Sequence, residues 1–152
     1  MADLAGIFRR RDRKAINRSF DLFERNFPQC RVHVATCHVR TPYSVSLFAI
    51  WAFNRANLYA GRNRGGANRD ILLAIDPNMR SAAMTLGYGL EPLVGKHHLE
   101  NAIVAGQMEL DSGRFGEAIL SIFEALAEEM VSVVQSLDRT FGLPDEQSVE
   151  IL

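Results

Sequence analysis

The chain lacks most of what would place it in a specialised class. Its 152 residues include two cysteines, five prolines and one tryptophan. Two thiols cannot staple a small secreted scaffold, and Cys30 and Cys37 do not form the CxxC pair of a zinc or redox motif. Both fall in a segment that reads as one strand, where seven residues span about 23 Å and odd spacing puts the side chains on opposite faces. That separation is beyond the reach of a disulfide. The longest run without a charge, Thr41 to Asn54, is 14 residues, short of the about 20 that a membrane-spanning helix requires. The opening residues Met1 to Arg9 lack the basic-then-apolar order of a secretion signal. As written, the sequence reads as soluble and cytoplasmic, an address that would change for a fragment of a longer, anchored or exported protein. There is no internal repeat and no low-complexity tract. What remains, 47% hydrophobic and 23% charged residues, is the mix of a single globular domain.

The net charge of -1 conceals an asymmetry. Residues 1–69 hold 13 Arg/Lys against 4 Asp/Glu, a net of +9, and residues 70–152 hold 4 against 14, a net of -10. Such a division suits an anionic partner for the basic half. It suits equally two halves that face each other within the fold or across a dimer, and a pI of about 6.4 favours this internal explanation.

Periodicity orders the elements. Residues 9–27 predict a helix with Ile16, Phe20, Phe23 and Phe27 on one stripe, ended by Pro28. Gln29 to Val39 reads as a Val-rich strand. Thr41-Pro42 is a turn, with Pro42 suited to the first turn of a helix over 43–60. There Val45, Phe48, Ala49, Ala52, Ala56 and Tyr59 form the core stripe, and Trp51 and Phe53 widen it enough for both sides to be covered. After the Gly/Arg/Asn loop from Gly61 to Asn68, the run Asp70-Ile71-Leu72-Leu73-Ala74-Ile75-Asp76 is apolar without interruption, as in a strand buried on both faces. Asp76-Pro77-Asn78-Met79 is a tight turn into a strand over 80–88, giving a hairpin closed by Gly87-Tyr88-Gly89. Helices follow at 96–112 and 115–138, joined through Gly113 as a left-handed cap. Strand–helix–strand–strand order predicts a right-handed parallel crossover with an antiparallel neighbour: a small mixed sheet with helices on both faces.

The common catalytic patterns fail. Gly87-Tyr88-Gly89-Leu90-Glu91-Pro92 starts like a dinucleotide fingerprint but ends in proline with no βαβ unit after it, and no P-loop, zinc-protease or nucleophile-elbow pattern occurs. His97, His98 and Glu100 supply too few ligands for a metal and read as an exposed helix start. His33 and His38 read as structural or surface residues. The informative region is one sheet edge, where the basic loop enters the buried strand and the glycine corner returns. Arg64, Asn68, Arg69, Asp70, Tyr88 and Glu91 should converge there. Backbone N–H groups and arginines would hold an anion. Asp70 and Glu91 could instead hold a hard cation, calcium or magnesium. A third reading is a plain ion pair, Arg69–Glu91 or Arg64–Asp70, tying loop to hairpin.

The stretch from Arg69 to Arg80, with Leu86-Gly87-Tyr88-Gly89-Leu90-Glu91 after it, resembles the central hairpin of the TPM-domain family. That family includes a thylakoid acid phosphatase and photosystem II repair proteins. Ser46 to Asn54 is similar to its crossover helix, and Leu110 to Ile119 to its last helix-to-helix turn. The resemblance implies a Rossmann-like αβα sandwich over residues 15–138, set between a basic N-terminal segment (1–14) and a polar tail (139–152). For some members it also implies divalent metal binding and phosphatase activity. This chain departs from the family pattern at the same edge: Asn68-Arg69-Asp70 replaces an Asn-Asn-Gly approach, and Gly95-Lys96 stands where an aspartate is usual. Only Glu91 matches the pattern plainly. The resulting expectation is a non-catalytic module that needs no cofactor and binds an anion or a protein partner through Arg64, Asn68, Arg69, Tyr88 and Lys96. The alternative is a low-specificity metal-dependent acid phosphatase, with the cation on Asp70 and Glu91. Nucleic acid is not an expected partner; the basic N-terminus could add a weak contact with an anionic membrane surface.

Overall fold

A computed structural model describes residues 1–56 and 68–142. Along the chain run β1 (Ala2–Asp3), α1 (Arg10–Asn26), β2 (Arg31–Thr36), α2 (Val45–Arg55), β3 (Asp70–Asp76), β4 (Ser81–Leu86), α3 (Lys96–Ala105), α4 (Gln107–Asp111) and α5 (Phe115–Phe141). The strands form one open sheet in the order β1-β2-β3-β4, the first three parallel and β4 antiparallel to β3.

Alternation along the strands divides the sheet into two packed faces. Val32, Val34, Ile71, Leu73 and Ile75 meet Ile16, Phe20 and Phe23 of α1 and Ile119, Ile122, Phe123 and Leu126 of α5. On the other face Ala35, Leu72, Ala74 and Ala83 meet Val45, Ala49 and Phe53 of α2. β3 is therefore covered twice, which is why its sequence shows no polar alternation. The expected αβα architecture is present.

Its two crossovers differ from each other. The β1–α1–β2 and β2–α2–β3 units advance in the same direction across the sheet, yet α1 and α2 lie on opposite faces. The two units must have opposite hands, so the right-handed rule holds for only one of them.

Local details correct other expectations. β2 is Arg31–Thr36, so Cys30 and Cys37 flank it, and no disulfide joins them. Helix α2 starts at Val45 because Ser44 caps it, its Oγ accepting from the Leu47 N–H at 3.2 Å; Pro42 lies before it, after a cis peptide bond. Trp51 is 58% exposed rather than covered, since among the described residues α2 is the helix packed on that face. Ala56 is the C-cap of α2, and Tyr59 lies outside the described residues. The helix expected over 96–112 breaks at Gly106. A Cβ there would stand 2.6 Å from Ile122 and 2.8 Å from the Ala118 carbonyl, so only glycine permits this approach to α5. Gly113 has φ +70, the left-handed cap its position suggested. Asp76 is buried and accepts from the N–H groups of Asn78 at 3.0 Å, Val39 at 3.3 Å and Met79 at 3.4 Å, a turn-forming role.

Strand β1 was not anticipated. Two residues carry too little pattern to be read, and the boundary drawn at residue 14 falls inside α1. Asp3 anchors the segment. Its buried carboxylate accepts from the Thr36 hydroxyl at 2.6 Å, the Arg13 guanidinium at 2.7 Å, and the N–H groups of Ile7 and Phe8 at 3.1 and 3.2 Å. Burial pushes this carboxyl up, but the Thr36 hydroxyl, the two amides and Arg13 outweigh it and hold it below its ordinary value. The stabilisation is therefore complete above the unfolded value of about 3.9 and fades as pH falls through the lower folded value. Asp3→Ala is expected to cost about 2–3 kcal/mol in urea unfolding at pH 7, with the gap to the unsubstituted chain closing at pH values below that of the folded carboxyl.

Candidate functional site

The edge singled out in the sequence is assembled from backbone. As the chain enters β3, the Asn68 carbonyl accepts from the Gly89 N–H at 2.7 Å, and the Asp70 carbonyl accepts from the Gly87 N–H at 2.9 Å. On the other side the Arg69 carbonyl accepts from the Arg31 N–H at 3.3 Å. The approach to β3 thus lies between the start of β2 and the Gly87-Tyr88-Gly89 corner. A Cβ on Gly89 would sit 2.7 Å from the Asn68 carbonyl, and one on Gly87 would collide with the Asn68 side chain. The glycines are there because another stretch of backbone passes against them, whatever else the corner does.

Side chains divide around this frame. Asn68 is 4% exposed, and neither its Nδ2 nor its Oδ1 meets a hydrogen-bond partner. The neighbouring Arg69 ties its guanidinium to Gln29 through one terminal nitrogen, while its buried Nε is unpartnered. Buried polar atoms left this way are rare and costly. Asp70 reaches across β2, its Oδ1 lying 3.3 Å from His33 Nε2. Tyr88 is 73% exposed and Glu91 is exposed. Lys96 is exposed and pairs with Glu100 at 3.1 Å, one turn along α3. Arg64 lies outside the described residues.

Asn68, Arg69 and Asp70 are therefore joined to the glycine corner as expected, but the side-chain pairings differ. No Arg69–Glu91 ion pair forms, because Arg69 turns to Gln29. Asp70 is engaged by His33, which the sequence reading had set aside. The parallel register pairs Arg31 with Asp70, so aligning the starts of the two strands would have put His33 within reach. His98 and Glu129 are a second pair that was missed: His98 Nδ1 lies 2.5 Å from Glu129 Oε2, and Asn101 donates to the other oxygen at 2.9 Å. The His98 and Asn101 contacts hold the Glu129 carboxyl below its ordinary value. Glu100, considered a co-ligand of the histidines, belongs instead to Lys96.

The chemistry open to this edge follows from those partners. Among the described residues no three His, Cys, Asp or Glu side chains gather closely enough to share a metal ion. The donors Asn68 Nδ2 and Arg69 Nε, by contrast, have unused capacity on adjacent residues. No helix among the described residues is long and apolar enough to cross a membrane.

A mixed four-stranded sheet between helix layers, with its glycine corner packed on the approach to β3, defines a Rossmann-like αβα domain. The family model of the TPM domain matches residues 1–129, and the chain belongs to the TPM-domain family. Solved structures agree on the fold. The N-terminal domain of the cg2496 protein from Corynebacterium glutamicum superposes with a TM-score of 0.64 at 18% identity, over 85% of this chain and 78% of that one. The BA42 protein from Bizionia argentinensis gives 0.67 at 13% identity, over 83% of each chain. The N-terminal domain of a P. gingivalis protein gives 0.60 at 21% identity, over 91% of this chain and 82% of that one. A search of curated proteins returns no match.

An unpartnered buried amide destabilises the fold that carries it. Asn68→Ala is accordingly expected to leave thermal stability unchanged or raise it. A loss above about 2 kcal/mol in chemical denaturation would mean that the amide has partners after all.

Proposed function

We propose that this TPM domain is a non-catalytic binding module that accepts an anionic group, as a small anion or on a protein partner, at the lip formed by Asn68, Arg69 and the glycine corner. One observation carries the reading: adjacent buried donors, Asn68 Nδ2 and Arg69 Nε, have no partner at a point fixed by backbone hydrogen bonds to Gly87 and Gly89. A phosphate or carboxylate oxygen is the natural acceptor for an unpartnered guanidinium or amide N–H. Lys96 adds positive charge at the head of α3, and exposed Tyr88 offers a contact surface beside the lip.

The metal-dependent alternative draws less support. Of its two carboxylates, Asp70 is held by His33 and Glu91 stands on the exposed corner, with no third ligand gathered beside them among the described residues.

Melting curves of the full chain separate the two. Ligand binding to the folded state raises Tm by mass action, so inorganic phosphate at millimolar concentration should raise it while calcium and magnesium leave it unchanged. Arg69→Gln should abolish the phosphate response. A rise with calcium, together with magnesium- or calcium-stimulated hydrolysis of a phosphomonoester that Glu91→Gln removes, would contradict the proposal and establish the hydrolase.

A further inference from the structure

Parallel strands bring several cations to one end of the domain. β1, β2 and β3 run the same way, so their carboxyl ends, the starts of α1 and α2 and the β3–β4 turn all lie at that end. Helix α5 starts there too, since Gly116 lies against Asp12. Arg10, Arg11 and Lys14 stand in the opening turns of α1, and Arg40 in the loop from β2 to α2, all exposed. Cations beside the positive pole of a helix are unfavourable, so local helix stability does not explain those on α1.

These charges are not cancelled inside the fold. Every Lys or Arg ion pair among the described residues joins two residues of the same half of the sequence, so direct pairing does not supply the internal neutralisation that the charge asymmetry suggested. Arg10, Lys14 and Arg40 have no carboxylate within ion-pair distance among the described residues. Of the nearby acids, Asp3 is engaged by Arg13, Asp12 by Arg11 and Glu117 by Arg114. The next exposed acid on α1, Asp21, lies about two turns beyond Lys14. Arg18 shares a groove with Glu124 and Glu128. Phe123 meets Phe20 and Phe23 edge-on, which sets those glutamates level with the second half of α1, away from Arg10 and Lys14.

The same end exposes apolar side chains. Leu4 follows β1 at 72% exposure, Met79 in the β3–β4 turn is 70% exposed, and Leu47 in the first turn of α2 is exposed. Beside them an apolar groove of about 400 Å³ opens between Val39, Arg40, Tyr43, Leu47, Phe48 and Trp51. We infer that this end of the domain docks on the surface of an anionic phospholipid bilayer. Cations set among exposed apolar side chains match negative headgroups with shallow hydrocarbon between them. A nucleic acid fits less well, because it would neutralise the arginines and leave Leu4, Leu47 and Met79 against phosphate. A second copy of this end would set cation on cation. The inference widens the contact expected of the basic N-terminus to the loop after β2, the start of α2 and the β3–β4 turn. The Asn68–Arg69 lip lies at the opposite end, where β3 begins, so the docking surface does not depend on the anion reading of the glycine corner.

Flotation of the full chain with lipid vesicles tests the inference. Phosphatidylcholine vesicles containing about 30% phosphatidylserine should capture it at about 50 mM NaCl, and pure phosphatidylcholine vesicles should not. Raising the salt to about 500 mM should release most of it, as screening requires. Each cation lost near the surface should weaken binding about fivefold. Arg10→Gln with Lys14→Gln should therefore cost about 25-fold, and Arg40→Gln, on the α2 side of the sheet, about fivefold. Leu47→Asp should weaken capture about tenfold or more. All of these positions are exposed, so the circular dichroism spectrum should stay that of the wild type. A chain that ignores the anionic vesicles at low salt overturns the proposal. So does capture that the folded Arg40 and Leu47 variants retain in full, which would confine the contact to the ridge of α1. Retardation of an RNA duplex without vesicle capture would assign the cations to nucleic acid, and sedimentation as a dimer without vesicle capture would assign the end to a second copy.

Discussion

Two strands of backbone lying against each other without intervening side chains govern the rest of this molecule. Where the chain turns into β3, the Asn68 carbonyl and the Gly89 N–H approach to 2.7 Å, a separation that a Cβ at Gly89 would occupy. Everything on the candidate edge inherits its place from this contact. It packs the Asn68 amide against Gly87 and carries the hairpin's exit toward α3, while on the other side the Arg31 N–H bonds the Arg69 carbonyl beside the Arg31–Asp70 register pair. Beside this contact the Asn68 amide and the Arg69 Nε are buried without hydrogen-bond partners.

Much of the fold was legible because burial leaves a direct trace in sequence. β3 could be read to the residue, since an apolar stretch between two aspartates has one economical placement. The stripes of α1 and α5 were equally plain, and their buried members include Ile16, Phe20, Ile119 and Leu126. What escaped was short or depended on tertiary contact. β1 has two residues and is held by a side chain, Asp3, whose partners lie as far away as Thr36. The break at Gly106 answers to Ile122 and Ala118 on another helix, which no local pattern reports. The exposure of Trp51 follows from how few elements cover its face, and the opposite hands of the crossovers from which face each helix chose.

At the candidate site, the juxtaposition was legible and the pairings were not. Hairpin logic brought Gly87 and Gly89 to the start of β3. Whether Arg69 would meet Glu91 or Gln29, and whether Asp70 would stand alone or beside His33, depended on strand register and rotamer choice. Those choices decide the chemistry. A carboxylate resting on an imidazole is a different object from one of a convergent acidic pair. The family resemblance behaved similarly: it was right about the scaffold, while the departures at Arg69 and Lys96 are where the proposed function rests.

The central claim, that the Asn68–Arg69 lip is an anion acceptor, is tested most directly by residue-resolved NMR on the isotopically labelled chain. During titration with inorganic phosphate, the Asn68 side-chain amide, the Arg69 Nε–H and the amides of Gly87, Tyr88 and Gly89 should shift together and saturate with one dissociation constant. If those resonances stay fixed under phosphate while calcium moves the signals around Asp70 and Glu91, the account is wrong and the edge is a metal site.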